Sequence, residues 1–558
     1  MTLYNKSLLV GVDLGKTTLS MAMAEPDSKG DIINVRTESV RHQGRPLDTL
    51  IEILRQKGPE NIVKIAATGI YSDRLALPVI TGLPDEIAQE LATRNLFPDD
   101  GPLNIVRLGG SGYSVLTRDT EGRYNFEEND KCSAGTGETI EKICKRLGLD
   151  LDRAIELAEK AEDVIPITAR CSEFAKSEMT HYANQGESHP SLLAGYFLSV
   201  AGNVASLYEK LKVDGPVVLI GNGALIRPVS NAFAGMCKNE VGVSEYAGAF
   251  EAMGALYYAG ERFGEEGPSE LPQDLSGLVR EREKRIKPLN PARRMPGSVV
   301  FLEGPHERLS ASGSAVLGLD LGSTGSKAAL WDPRRNTVMA DVYRPTEGNP
   351  VEAAKALVTD IMAKADNPVI AVGLTGSGRD AAATVFRAAC PGLGDRIVVQ
   401  NEIVAHAEAA MTYDPDRGKS LSIVEIGGQD AKFINVEGGR VIESDMNRAC
   451  SAGTGSFLEE QGIFYGIDDI TRFGEMAARA EGPPDLGQMC TVFVAEQAAE
   501  ALNEGYSVDD VFAGFMYSVI VNYKNRVMGN RRFLDKVFFQ GKPATNWYLA
   551  RTLAAIIR

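Results

Sequence analysis

LGLDLGSTGSKAAL, residues 317–330, reads as an apolar strand, a glycine-containing turn and a second strand. A near copy, VGVDLGKTTLSMA at 10–22, lies 307 positions earlier, and Thr68-Gly69 and Thr375-Gly376 keep that offset. Such a hairpin wraps backbone amides and hydroxyls around phosphate oxygens. In the later copy Asp320 stands at the strand end, where it can bind Mg2+ through water. Gly322, Ser323 and Thr324 offer turn amides and hydroxyls, and Lys327 offers a compensating charge. Asp13, Gly15, Lys16 and Thr17 occupy the matching places in the earlier copy, but Ser20 replaces the lysine. Alone, a hairpin of this kind is more often an ordinary tight turn.

The duplication runs further, and a repeat decides how a whole chain is read. NDKCSAGTGETIEKI at 129–143 matches NRACSAGTGSFLEEQ at 447–461, an offset of 318. RCSEFAKSEMTHYANQGE at 170–187 matches MCTVFVAEQAAEALNEG at 489–505, pairing Cys171 with Cys490, Phe174 with Phe493 and Gly186 with Gly505 at an offset of 319. Between the copies lies a stretch dense in Glu, Arg and Pro, including EREKRIKPLNPARRMPG at 281–297. It is expected to be a solvated connector with at most a short helix. The division is therefore 1–260, a first repeat; 261–314, the connector; and 315–558, a second repeat. The second repeat lacks a counterpart of EYAGAFEAMGALYYAG at 245–260, so it is expected to be C-terminally incomplete.

A second hairpin, SIVEIGGQDAKFINV at 422–436, puts Glu425, Gly427, Gly428, Gln429 and Asp430 at a bend. Paired glycines let the main chain approach phosphate, and Gln429 or Asp430 is placed to orient an attacking water. The first copy, VRLGGSGYSVL at 106–116, keeps Gly109 and Gly110, but Arg107 replaces the acidic residue and Ser111-Gly112 replaces Gln-Asp. Its phosphate motifs are degenerate, and weak nucleotide binding or poor hydrolysis is expected of it. Together the two hairpins resemble the superfamily of acetate and sugar kinases, heat-shock chaperone ATPases and actin, in which nucleotide lies between facing subdomains. The resemblance implies an α/β fold of two tandem actin-like ATPase repeats forming a pseudo-dimer. The superfamily's glycine-rich adenosine turn corresponds to LIGNGALIR around Gly221 and FFQGKPATN around Gly541, with Asn222 and Lys542 where a second glycine is expected.

The 558 residues are 44% hydrophobic and 24% charged, a globular composition, and 75 acidic against 59 basic residues give a net charge of -16. That balance disfavours nucleic acid and anionic membrane as partners. No run of 18 apolar residues reads as a membrane span, and the opening apolar run contains Asp13, so it reads as a strand. Seven cysteines, an odd number without a secretory signal, point to a reducing compartment, and the expected location is cytoplasmic. Cys132, Cys171, Cys450 and Cys490 pair between copies, whereas Cys144, Cys237 and Cys390 have no counterpart and are read as structural. Cysteines at helix N-termini favour thiolate. Four thiolates suit a cubane iron-sulfur cluster, and zinc equally.

CSAGTG with a downstream CTVF closely resembles the activators of 2-hydroxyacyl-CoA dehydratases and the ATPase subunits of benzoyl-CoA reductases, the BadF/BadG/BcrA/BcrD type. The resemblance implies one 4Fe-4S cluster shared by the two repeats through those four cysteines, ATP/ADP with Mg2+, and ATP-driven delivery of a low-potential electron. The acceptor it implies is an acyl-CoA dehydratase, a benzoyl-CoA reductase-like or a double-cubane protein, with ferredoxin or flavodoxin as donor. His406, in NEIVAHAEAA at 401–410, is given no catalytic role. The rival readings are a small-molecule kinase of the same superfamily, with an Asp as general base, and a regulatory ATPase relative with structural zinc.

Overall fold

The computed structural model describes residues 7–27, 32–110, 112–129, 137–168, 171–302, 313–365, 367–447, 454–467 and 469–557. They form two repeats of one plan, each with two sheets. In the first sheet Leu8–Leu14 is flanked by antiparallel Thr18–Pro26 and parallel Ile62–Thr68, with Ile32–Arg41 at the edge. Ala315–Leu321 has the same neighbours in Gly325–Asp332 and Val369–Thr375, with Thr337–Pro345 and Ile397–Val399 outermost. The other sheet of each repeat follows suit. Leu103–Leu108 pairs with Tyr113–Arg118 and Val217–Ile220, and Ser420–Ile426 pairs with Ala431–Glu437 and Lys536–Gln540. A hairpin-first mixed sheet, used twice per repeat, is the actin-like α/β plan expected.

Register confirms the alignment of the copies. Asp13 lies opposite Ser20 and Asp320 opposite Lys327; Arg107 lies opposite Ser114 and Glu425 opposite Lys432. Three of the four inner strands are covered on both faces, so they read as near-continuous apolar runs, whereas Ala315–Leu321 is buried only at alternate positions. Ser420–Ile426, for example, is buried at every position but its first. Their carboxyl ends run straight into the hairpin turns, which is where the cleft forms.

In the second repeat, the helix Gly455–Phe464 that follows the cysteine motif is fixed against Val508–Tyr523 by edge-to-face aromatic pairs. Phe457 meets Phe515 at 5.4 Å between ring centroids, and Tyr465 meets Phe512 at 5.3 Å. Ser507 and Asp510 form a capping box at the start of Val508–Tyr523.

Two expectations are corrected. The helix closing the first repeat, Phe250–Glu266, runs past residue 260. The described part of the connector is a strap packed on both repeats. Leu271, Leu275 and Leu278 are buried in the first repeat's core, Ala292 is buried in the second's, Arg280 N donates to Arg74 O, and Leu289 N donates to Pro483 O. Charge dominated its composition, but a few apolar residues at these positions suffice to anchor it. Among the described residues one helix, His189–Leu211, is long and apolar enough to cross a membrane. It is instead a core helix, with Leu192, Leu193, Tyr196, Phe197 and Val200 buried in the first repeat.

Candidate functional site

The two hairpin turns of the second repeat face each other across a cavity of about 360 Å³. Its walls contain Asp320, Gly322, Ser323, Thr324, Lys327, Glu425, Gly427, Gly428, Asp430 and Gly541, so ten of the eleven second-repeat residues that the sequence assigned to catalysis or nucleotide binding meet there. The turns touch: a Cβ at Gly428 would lie 2.3 Å from Thr324 Oγ1. At the third corner Gly541 has φ +95°, and a Cβ there would meet Ile426 O at 2.0 Å, which only glycine avoids. Gly221 in the first repeat matches it with φ +83°. The helix Gly455–Phe464 starts on the second turn, Gly455 N donating to Gly427 O at 2.8 Å and Ser456 N to Gly428 O at 2.9 Å. Its amino end thus opens on the cleft, where a helix dipole favours anions.

Sequence reasoning missed the residue that organises this charge. Lys432 Nζ lies 3.1 Å from Glu425, 2.8 Å from Asp430 and 3.0 Å from Glu402. Strand alternation brings Lys432 back to Asp430's face and directly across from Glu425, a signal present in the sequence. Desolvation pushes the Glu425 carboxyl above its usual range, with Lys432 opposing. Against its own desolvation, Lys432 is held above its usual range by Glu425, Asp430 and Glu402. Lys327 Nζ is 3.0 Å from Asp320 Oδ2. His406 also lines the cleft, with Nδ1 2.9 Å from Gln540 Oε1. Gln429 does not line it; its amide lies 3.3 Å from Thr180 Oγ1 of the first repeat. The set suits a Mg2+–polyphosphate: carboxylates for hydrated metal, lysines, turn amides and a helix N-terminus for phosphate oxygens.

The first repeat's cleft is smaller, about 100 Å³. Thr17 and Gly110 line it; Asp13, Gly15, Lys16, Gly109 and Gly221 do not. Arg107 turns inward, Nε 2.6 Å from Glu251 and Nη2 3.9 Å from Asp85. Desolvation, then Asp85 and Glu251, push the Asp13 carboxyl well above its usual range. Lys16 Nζ pairs with Glu138 at 3.5 Å. The groups that would meet a polyphosphate are thus paired internally.

Between the repeats lies a small cavity with walls from four helix beginnings: Thr139 of Gly137–Arg146, Ser172 and Glu173 of Ser172–Asn184, Phe457 of Gly455–Phe464, and Thr491 and Val492 of Thr491–Asn503. Cys171 and Cys490 are the N-cap residues of two of these helices, and both are half-buried. Cys132 and Cys450 lie outside the described residues. Thr491 Oγ1, beside Cys490, is buried with no hydrogen-bond partner among the described residues. Lys176 Nζ bridges the repeats, 2.8 Å from both Glu460 carboxylate oxygens. Cys144, by contrast, is buried in the first core, where desolvation pushes its thiol up to about 12.

The sequence model of the BadF/BadG/BcrA/BcrD ATPase family matches this chain twice, over residues 10–259 and 317–558. The chain is similar to an activator of lactoyl-CoA dehydratase from Anaerotignum propionicum, 31% identical over 264 residues, covering 45% of this chain and 97% of that protein. It is similar to a 2-hydroxyisocaproyl-CoA dehydratase activator from Clostridioides difficile, 31% identical over 265 residues, covering 45% and 94%. Among solved structures it is similar to the activator of the 2-hydroxyisocaproyl-CoA dehydratase from Clostridium difficile with bound ADPNP. That match has 25% identity and a TM-score of 0.42, and it covers 46% of this chain and 96% of that one.

Proposed function

We propose, on the premise that this chain belongs to the BadF/BadG/BcrA/BcrD ATPase family, that it is an ATP-driven activator delivering low-potential electrons to an iron-sulfur dehydratase or reductase component. ATP with Mg2+ binds in the second repeat's cleft, and Cys132, Cys171, Cys450 and Cys490 hold one 4Fe-4S cluster between the repeats. The donor set fits that group. Two of the four cysteines cap helices whose first turns share one small cavity with the helices of both AGTG motifs, and amide-rich helix ends favour thiolates and a net negative cluster. Thr491 Oγ1 has a hydroxyl to spare there. When bound, the cluster supplies a one-electron reductant tuned by hydrogen bonds and exposure.

The observation that carries the reading is the direct bond between the two sites. Gly455 and Ser456 donate from the helix after the cysteine motif to Gly427 and Gly428 of the phosphate turn. Closing that turn on a γ-phosphate therefore moves the helix, and with it the arrangement of the interface. Asp320 and Asp430 are placed for hydrated Mg2+, Lys327 and Lys432 neutralise charge, and Glu425 is held by Lys432 at the cleft's edge. Phe174 and Phe493, each three residues after a capping cysteine, are 58% and 45% exposed, which suits docking of a protein acceptor beside the interface.

The test uses the full chain prepared anaerobically with a 2-hydroxyacyl-CoA dehydratase component. Electron delivery must require ATP; Asp320→Asn must abolish hydrolysis while keeping iron, and Cys490→Ala must lose iron while keeping nucleotide. Metal-free protein that phosphorylates a sugar or acid would return the chain to the kinases.

A further inference from the structure

Arg146 ends the helix Gly137–Arg146 of the first repeat, and its side chain, only 14% exposed, reaches into the second repeat. Its Nη2 lies 3.4 Å from Thr324 Oγ1 in the first phosphate turn. With the Gln429 amide oriented so that its oxygen meets donors, Arg146 Nε donates to Gln429 Oε1 at 2.9 Å, and Nη2 donates to the same oxygen. Nη1 lies 3.9 Å from Glu460. One guanidinium therefore touches both phosphate turns of a cleft that belongs to the other repeat.

The counterpart of Arg146, at the 318 offset, is Phe464, which ends Gly455–Phe464. Phe464 lines the first repeat's cleft with Thr17 and Gly110, the equivalents of Thr324 and Gly428. Each repeat thus sends the end of the same helix to the other's phosphate turns. The cleft with a full polyphosphate set receives an arginine; the cleft already satisfied by Arg107 receives a phenylalanine. Packing alone would not require that asymmetry of charge.

We propose that Arg146 is a positioning residue supplied by the first repeat to the ATP site of the second, tying the turn of Gln429 to the turn of Thr324 so that the spacing of the two phosphate turns, and with it hydrolysis, depends on how the repeats are docked. The inference rests on the ATPase reading. Water in the cleft attacks the γ-phosphorus, the bond to the β,γ-bridging oxygen breaks, and the products are ADP and inorganic phosphate, which takes the proton or releases it to solvent. A guanidinium fork suits this role because it holds two acceptors at fixed angles and stays charged. The helix bearing Arg146 begins just after the first cysteine motif, and Gln429's turn holds the helix that follows the second. One contact thereby ties hydrolysis to both cysteine-bearing segments.

The experiment compares full-length wild type, Arg146→Ala and Arg146→Lys in steady-state ATP hydrolysis, in ADP affinity, and in affinity for ADP with aluminium fluoride. The expected result is kcat lower by on the order of 100-fold in both variants, with ADP affinity within about twofold of wild type. The transition-state analogue should weaken by a factor similar to kcat, and added guanidinium should restore part of the rate in Arg146→Ala. Arg146→Lys keeps charge and bulk, so its loss reports the fork itself even where the alanine variant folds poorly. Variants that turn over like wild type, or that lose ADP and analogue equally, overturn the proposal. Wild type that hydrolyses no ATP overturns the underlying reading instead.

Discussion

Lys432→Met removes the cation that three carboxylates share. Lys432 is 3% exposed and Glu425 5%, with 3.1 Å between Nζ and Oε2. At an effective dielectric constant of about 20 that pair is worth ~5 kcal/mol before desolvation. Deleting one partner of a buried pair destabilises by about 3–5 kcal/mol. Asp430 at 38% and Glu402 at 23% exposure still reach water, so the lower end, ~3 kcal/mol, is expected here. In a repeat of this size that is a fall in melting temperature of roughly 6–12 °C. The sign with pH follows from Glu425, whose carboxyl already sits above its usual range through desolvation and rises further without Lys432. A raised carboxyl stabilises the fold most where it is protonated, and that contribution is lost as pH rises through the folded value. The deficit of Lys432→Met should therefore be small near pH 5 and full near pH 8, read by differential scanning calorimetry at both. An equal deficit at both values, or none at either, would refute the shared-cation account.

Gly428→Ala places a methyl 2.3 Å from Thr324 Oγ1 and 2.5 Å from its Cβ, so the two turns must part by about 1 Å; turnover should fall on the order of 100-fold with the fold retained, and full activity contradicts it. Glu138 is held down to about 2 from the usual 4.5, Lys142 and Lys16 outweighing desolvation. Its ~3 kcal/mol is present above the unfolded value and lost as pH falls toward the folded one, so Glu138→Gln should flatten the acid limb of melting temperature; an unchanged limb contradicts this. Arg74 Nη1 donates to Leu502 O and Asn503 O across the repeats, and Nε donates to Arg280 O of the strap. Arg74→Met should weaken this clasp by about 2 kcal/mol and speed proteolysis within residues 267–302, and an unchanged cleavage rate argues against the clasp.

The repeats, the two hairpins and ten of the second cleft's residues were legible because duplication preserves spacing, and spacing fixes which side chains share a turn. Cross-strand partners were less so. Lys432 became part of the site only once Glu425 had a register, and Ser114 in its place explains why Arg107 turns to Glu251. Gln429 was expected at the reacting phosphate, but its amide faces Thr180 and Arg146, because the turn that carries it abuts the other repeat. The strap was misjudged by composition, which counts charges and ignores where four apolar residues fall. No local pattern announces contacts such as Lys176 with Glu460, which join residues 284 positions apart.

The most direct measurement is the iron and sulfide content of anaerobically purified chain, with the electron paramagnetic resonance spectrum after dithionite reduction, for wild type and Cys490→Ala. About four irons and four sulfides per chain with a reduced-cluster signal, both lost on substitution, are the result this account requires. Wild type that binds zinc, or stays without metal after anaerobic reconstitution with iron and sulfide, contradicts it.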